Sequence, residues 1–426
     1  MSARIRTWTG LDNAAKIFPP SQSAGDTKVF RVSCELREAV DPDALTRALS
    51  YTAADFPGFR HTIRRGAFWY YLEECDQLPV VHEEEDTPCS RMRFGQRTPL
   101  FDVSYYKNRI HLEVYHALTD GTGAMQFLRA MAAYYLKIAH PEQLADAPVE
   151  ARHTAPDEQA DDSFRRYYDD TQEKRAEKER PAYQLHGLRR DEWALGVVEG
   201  DMSAAEVLRA AHAYGTTVTV YIAALFIMAV GKTMIVRHKH RPVVVTVPVN
   251  LRSLFDSQTT RNFFSVVNVG YTFPRQGKVT VEQVIASIRE QFEPAVTRER
   301  MYNRLNNLSA LENNPALRIV PLRIKDWVMR AFYEKSERAF TVSLSNLGRV
   351  QMPEAYAPYI SAFTFLVSTK KLQIGMCSFG DTMRISFTSS YQHTAVERHF
   401  FRLLAKDGVQ ICVTGNREEV QAHEMV

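Results

Sequence analysis

The segment Arg109–Met125 constrains the fold of this chain more than any other. Ile110, Leu112 and Val114 alternate with His111, Glu113 and Tyr115, the period-two pattern of a strand. His116-Ala117-Leu118-Thr119-Asp120 breaks the alternation. From Gly121 the apolar spacing becomes three and four (Met125, Leu128, Met131, Ala132, Tyr135, Leu136), the stripe of an amphipathic helix reaching about Ala139. A strand that feeds straight into a helix needs a sheet beside it and a helix layer over it. All-helical and all-strand folds are therefore excluded.

The flanking elements extend that reading. Thr27–Leu36 is mostly alternating and reads as a strand. Asp41-Pro42 opens a helix, with Asp as N-cap and Pro at the first helical position, and Pro57-Gly58 ends it. Phe59–Glu73 reads as two strands turning at Arg65-Gly66, and Pro99–Tyr106 joins Arg109–His116 through a turn at Lys107-Asn108. In the second half, Ser203-x-x-Glu206 and Thr280-x-x-Gln283 start helices, and Val218–Met234 is a long apolar helix. Pro242–Val249, Phe263–Phe273 and Thr341–Leu344 read as strands. Ser361–Ser368, Lys371–Ser378 and Thr382–Thr388 read as a three-strand meander, and Val396–Ala405 as a closing helix. The fold class expected is α+β.

A chain of 426 residues exceeds what one core usually supports, so two domains of roughly 200 residues each are expected. The joint is a change of composition over 141–190. Glu150–Arg180 holds 17 charged residues in 31, with Pro148, Pro156 and Pro181 around them, and reads as a solvated linker with a charged helix over 163–180. The expected division is 1–185 and 190–426. A net charge of +3 is too small to argue for a nucleic-acid partner. No run of about 18 apolar residues suggests an integral membrane segment. The five cysteines are odd in number and unclustered, so neither a zinc ribbon nor a disulfide framework is expected. With no apolar signal at the N-terminus, the expectation is a cytoplasmic monomer without a bound metal.

The pattern His-x-x-x-Asp occurs three times, at His82–Asp86, His116–Asp120 and His153–Asp157, so spacing alone is uninformative. Context separates them. His82 precedes an acidic run and His153 lies in the charged joint, whereas His116 ends an apolar strand and Asp120 precedes Gly121 and a helix. Asp120 is placed to cap that helix. An imidazole at the mouth of a sheet suits a general base near neutral pH. Gly121 and Gly123 remove side chains where a ligand could approach the backbone. A capped helix whose histidine merely satisfies hydrogen bonds at a strand end fits the same residues.

His116-Ala117-Leu118-Thr119-Asp120-Gly121 resembles the His-His-x-x-x-Asp-Gly motif of the CoA-dependent acyltransferase superfamily. That group includes nonribosomal-peptide condensation domains, bacterial alcohol acetyltransferases, polyketide-associated acyltransferases and wax ester synthases. The resemblance runs in order along nearly the whole chain. It takes in Asp41–Leu45 through Phe56–Arg60, Pro99-Leu100-Phe101, the Pro-x-x-x-Arg segment at Pro248–Arg252, Asn262-Phe263-Phe264 and Ser345-Asn346-Leu347-Gly348.

The resemblance implies two chloramphenicol-acetyltransferase-like lobes, each a mixed sheet flanked by helices, forming a V around a central tunnel. It implies that His116 is the base and that Asp120, paired with Arg252 across the lobes, holds the turn. Gly121 would line the channel, and Tyr115, Gly123, Asn250, Ser345 and Asn346 are further channel candidates. The implied reaction moves an acyl group from a CoA thioester to a hydroxyl acceptor, with acyl-CoA as co-substrate and no tightly bound cofactor. Two alternatives accompany it: condensation of an acyl carrier protein thioester, supplied in trans, with an amine acceptor, and a non-catalytic relative that acts by binding. Tyr115 stands where the motif has its first His; as neighbours on a strand point to opposite faces, it would face away from His116. Phe379-Gly380-Asp381 is only a faint echo of the plant-type Asp-Phe-Gly-Trp-Gly motif.

Overall fold

The computed structural model describes residues 7–92, 98–149, 158, 161–169, 180–190, 194–312 and 319–416. Two sheet-rich lobes make up the chain. The first contains a five-stranded sheet in the order Ile360–Val367, Val29–Leu36, Arg109–Tyr115, Phe101–Tyr106, His82–Glu83, antiparallel except for the last pair. The helices Pro42–Asp55 and Gly121–Ala139 pack together, the second also lying on the sheet. Phe30, Val32, Leu112 and Val114 from the strands meet Leu45, Leu49, Phe127, Leu128 and Met131 from the helices in one buried core. Asp41 caps its helix as expected, accepting from the backbone N–H groups of Asp43 and Ala44 at 2.9 and 3.4 Å. A smaller sheet orders Trp8–Gly10, Tyr70–Glu74 and His61–Arg65, the last two joined by the hairpin at Arg65-Gly66.

The second lobe is built on a seven-stranded mixed sheet in the order Phe264–Tyr271, Val243–Asn250, Val342–Arg349, Leu372–Phe379, Thr382–Ser389, Gly196–Ser203, Ile411–Gly415. Val342–Arg349 runs parallel to both of its neighbours and the other pairs are antiparallel. Helix Val218–Thr233 is apolar on all sides because it is buried on nearly all sides, through Tyr221, Ile222, Leu225, Phe226 and Val230. Helices Val281–Ala295 and Ala395–Lys406 flank it, adding Val284, Ile288, Phe400 and Leu404 to the same core. Thr280 and Gln283 form both bonds of a capping box. At Ser203 only half of one forms: its hydroxyl accepts from the Glu206 N–H at 3.2 Å, while the Glu206 carboxylate accepts instead from the Gln410 N–H at 2.9 Å.

The expected three-strand meander needs correction. Ile360–Val367 pairs with Val29–Leu36 of the first lobe, in the register Phe363 opposite Cys34, and not with Leu372–Phe379. Alternation reports that a segment is a strand and which residues share a face, but not which strand it joins. The contiguous division at 185–190 therefore misses one crossing: the second half of the chain returns a strand to the first sheet. That strand lies against the second sheet at Gly375, where a Cβ would come within 2.2 Å of the Phe365 carbonyl oxygen. The charged helix expected over 163–180 falls largely outside the described residues; Ser163–Arg166 is helical. No single helix among the described residues is long and apolar enough to cross a membrane.

Candidate active site

The strand Arg109–Tyr115 ends at the face where the two lobes meet. Its last amide neighbour, the His116 N–H, donates to the Lys28 carbonyl at 2.8 Å, which continues the pairing with Val29–Leu36 for one more residue. The chain then turns over Ala117–Asp120 into the helix Gly121–Ala139. Asp120 caps that helix, its Oδ1 accepting from the N–H groups of Thr122 at 3.1 Å and Gly123 at 3.0 Å. This carboxylate also reaches the second lobe. Arg252 donates from NH1 to Oδ2 at 2.9 Å and from NH2 to Oδ1 at 3.0 Å, and the Phe263 N–H donates to Oδ2 at 2.9 Å. The pair is a bidentate fork between side chains each only 7% exposed. Arg252 spends its other donors on the Thr259 and Arg261 carbonyls and on Asn250 Oδ1. Asp120 thus has one structural task with two parts: it starts the helix and ties the turn to the other lobe.

Three more contacts close that junction. The Thr119 hydroxyl donates to the Thr260 carbonyl. A Cβ at Gly123 would lie 2.2 Å from Thr119 Oγ1 and 2.3 Å from the Thr260 carbonyl oxygen, so only glycine lets the Thr260 backbone come this close. Gly121 sits beside Leu347 of the second lobe and Phe365 of the crossing strand.

His116 is half-buried at this junction. Phe18 stacks on its ring with centroids 4.2 Å apart, Phe30 meets it edge-on at 4.9 Å, and Phe264 of the second lobe lies at 5.8 Å. Nδ1 lies 3.1 Å from Asn262 Oδ1. Nε2 has no hydrogen-bond partner among the described residues. Burial is the largest influence on the ring and holds its pKa below the usual histidine range; the nearby Asp120 carboxylate opposes this. The outcome is an imidazole that stays neutral, with one nitrogen engaged and the other bare.

The remaining expected site residues separate into two groups. Tyr115 and Gly123, offered as channel candidates, are instead packed: Tyr115 is 1% exposed in the first lobe's core, and Gly123 is buried under Thr260. Asn250 is exposed and positions Arg252, accepting from its N–H at 3.1 Å. Asn346 is exposed and bound within the second lobe, donating to Thr219 Oγ1 at 3.0 Å and accepting from the Gly348 N–H at 2.8 Å; Gly348 makes the turn at φ +73°. Ser345 is half-buried in its strand opposite Gly375. The decoy His82 binds Asp102 Oδ2 at 2.7 Å on the surface, and His153–Asp157 lies outside the described residues. No group of three or more His, Cys, Asp or Glu side chains among the described residues could hold a metal ion.

Residue-by-residue reading does not mark Phe18 and Asn262 as neighbours of His116, or Asp12 as the partner of Asn262. Asn262 stands directly before the apolar strand of the second lobe, a position that hints at a sheet mouth. Phe18 and Asp12 lie in an N-terminal stretch without periodicity, and nothing in their spacing marks them.

No protein-family model and no curated protein sequence matches the chain. Solved structures do. The trichothecene 15-O-acetyltransferase of Fusarium sporotrichioides is 10% identical and superposes with a TM-score of 0.61 over 94% of each chain. The first condensation domain of the calcium-dependent antibiotic synthetase is 15% identical, with a TM-score of 0.60 over 94% of this chain and 96% of that one. Polyketide synthase associated protein 5 of Mycobacterium tuberculosis is 14% identical, with a TM-score of 0.58 over 93% and 96%. At such identities the likeness speaks for the fold. This chain has the two-lobed fold shared by condensation domains and CoA-dependent acyltransferases.

Proposed function

We propose that the protein is an acyltransferase that moves an acyl group from a CoA thioester to a hydroxyl acceptor, with His116 as general base. The observation that carries the reading is the neutral, half-buried His116 ring at the lobe junction, with Nδ1 engaged by Asn262 and Nε2 bare. In this reading Nε2 takes the hydroxyl proton as the acceptor oxygen bonds to the thioester carbonyl carbon. The tetrahedral intermediate then collapses, the C–S bond breaks, and the departing sulfur receives the proton from Nε2. An ester and a free thiol result. Such base catalysis contributes about 10²–10⁴-fold. Asp120, Gly121 and Arg252 hold the turn that presents the ring; they do not touch substrate. The co-substrate is acyl-CoA, with no tightly bound cofactor, and the protein acts as a cytoplasmic monomer.

The likeness to condensation domains supports a second reading, in which a carrier-protein thioester in trans and an amine acceptor replace CoA and alcohol. A third reading, a non-catalytic relative that binds a ligand or protein, draws on Tyr115 in place of the motif's first His and on the charged joint over 141–190. One experiment separates the three. Purified protein is given acyl-CoA thioesters or an acylated carrier protein, each with a panel of alcohols and amines, and thiol release is followed. Release from CoA that depends on an alcohol supports the first reading. Release only from the carrier with an amine moves the protein to the second, and no release above the protein-free rate with any pair moves it to the third.

A further inference from the structure

The amide of Asn262 has two ends, and its surroundings decide which is which. Nδ2 lies 3.1 Å from the His116 carbonyl oxygen and 3.2 Å from Asp12 Oδ2. Both are acceptors, so this end of the amide is the NH2 donor; the reverse orientation would face a carbonyl oxygen against two other oxygens. Oδ1 is therefore the atom 3.1 Å from His116 Nδ1, and an oxygen there requires Nδ1 to carry the proton. The amide spans the carbonyl and the ring of the same residue. Its donor end is held from behind by Asp12, a side chain 1% exposed that also accepts from the Ala15 N–H at 2.7 Å and faces Arg261 Nε at 3.7 Å. Burial pushes the Asp12 carboxyl up to about 6, against the pull of Arg261; in either protonation state it keeps an oxygen that accepts from Asn262.

We propose that Asn262, oriented by Asp12, is a positioning residue that fixes His116 in the tautomer with the proton on Nδ1 and the lone pair on Nε2. Free neutral imidazole prefers the opposite arrangement, so the protein must supply the bias. Phe18, stacked on one face of the ring, restricts its tilt and keeps Nδ1 on the Asn262 side. The three parts come from separate places: Asp12 from the N-terminal segment, His116 from the first lobe's motif, Asn262 from the second lobe. The tautomer is then a consequence of lobe contact. The proposal rests on His116 being the base only for its catalytic meaning; the tautomer itself can be read without turnover.

The test is histidine-selective 15N NMR of the full chain at pH 7.5, with the His116 signals assigned by their loss in His116→Gln. The wild type is expected to show a protonated Nδ1 and a bare Nε2. Asn262→Ala is expected to add a population protonated on Nε2 and to lower kcat by about 5-fold or more, with KM for the thioester unchanged. Asp12→Ala, which keeps the Asn262 amide but removes the carboxylate behind it, is expected to add the same Nε2-protonated population to a smaller extent. A wild type protonated on Nε2, or an Asn262→Ala protein with the wild-type tautomer alone, overturns the proposal. An Asp12→Ala protein with the wild-type tautomer alone does so too. If thiol release fails while the wild-type signals are as expected, the acyltransfer reading fails and this inference stands.

Discussion

Two of the ionic ties between the lobes lie at opposite ends of the first sheet. At the site end, Asp120 and Arg252 form one bidentate pair, both partners 7% exposed. At the other end, Arg384 of the second sheet bonds Asp201 twice at 2.6 Å and reaches Glu35 of the first sheet at 2.8 Å. Arg109 bridges the same Glu35 and Glu199 at 2.9 Å each. Glu35 and Arg109 pair six residues along from Val29 and Tyr115, about 20 Å at the usual strand rise. The far tie is a network centred on a buried Arg384, 3% exposed, with Glu35 and Asp201 reaching water at 21% and 36% exposed side chains. The near tie is isolated, drier, and shares its carboxylate with a helix N-terminus and the Phe263 amide. One tie holds lobes together; the other also shapes a turn. Salt bridges of similar length can therefore differ in what depends on them.

That contrast can be broken experimentally, starting with the pair itself. Asp120→Ala leaves Arg252 buried without its partner and removes a cap, so a loss of about 3–5 kcal/mol is expected in denaturant unfolding, together with loss of thiol release. A change under about 1 kcal/mol would mean that the pair is not buried as described. Gly123→Ala should cost about 1–3 kcal/mol, because its new methyl must displace the Thr260 backbone rather than a flexible side chain. Lowered thiol release should accompany it. Arg384→Met removes the centre of the far network. With carboxylates that water can still reach, about 1–2 kcal/mol of stability should go while kcat/KM stays at the wild-type value. If Arg384→Met cuts kcat as deeply as Asp120→Ala does, the two ties are not different in kind.

The smallest effect concerns pH. Burial lowers the folded-state pKa of His116, so the ring stays neutral as pH falls through the ordinary histidine range. The acid limb of thiol release is expected below the unperturbed value near 6.5. By linkage the unfolded chain takes up this proton first, so the buried neutral ring destabilises the fold progressively as pH falls through that same range. An acid limb above 6.5 would place another group in control.

The course of the chain through Arg109–Ala139 is legible because apolar period switches from two to about 3.6 across a single turn, with a capping Asp120 directly before the helix. The pairing of Asp120 with Arg252, 132 residues away, is not legible from spacing; the resemblance implies it, and the fold brings the two together. Asn262 and Asp12 stayed hidden because a lone polar residue carries no period. The helix Leu322–Glu337 was missed for the opposite reason. It turns polar groups inward, with Lys325 donating to the Phe68 carbonyl at 3.0 Å and Tyr333 accepting from Lys28 at 2.6 Å, while Ile324, Trp327, Val328 and Phe332 are exposed. Helix reading assumes that the apolar stripe faces in. The strand Ile360–Val367 was recognised as a strand and assigned the wrong neighbour, since both of its faces are buried and either sheet could receive it.

The most direct measurement is acceptor-dependent thiol release by wild type and His116→Ala, compared at pH 7.5 after both are shown to unfold at the same denaturant midpoint. The His116→Ala variant is expected to be slower by about 10²–10⁴-fold. Equal rates would contradict His116 as the base.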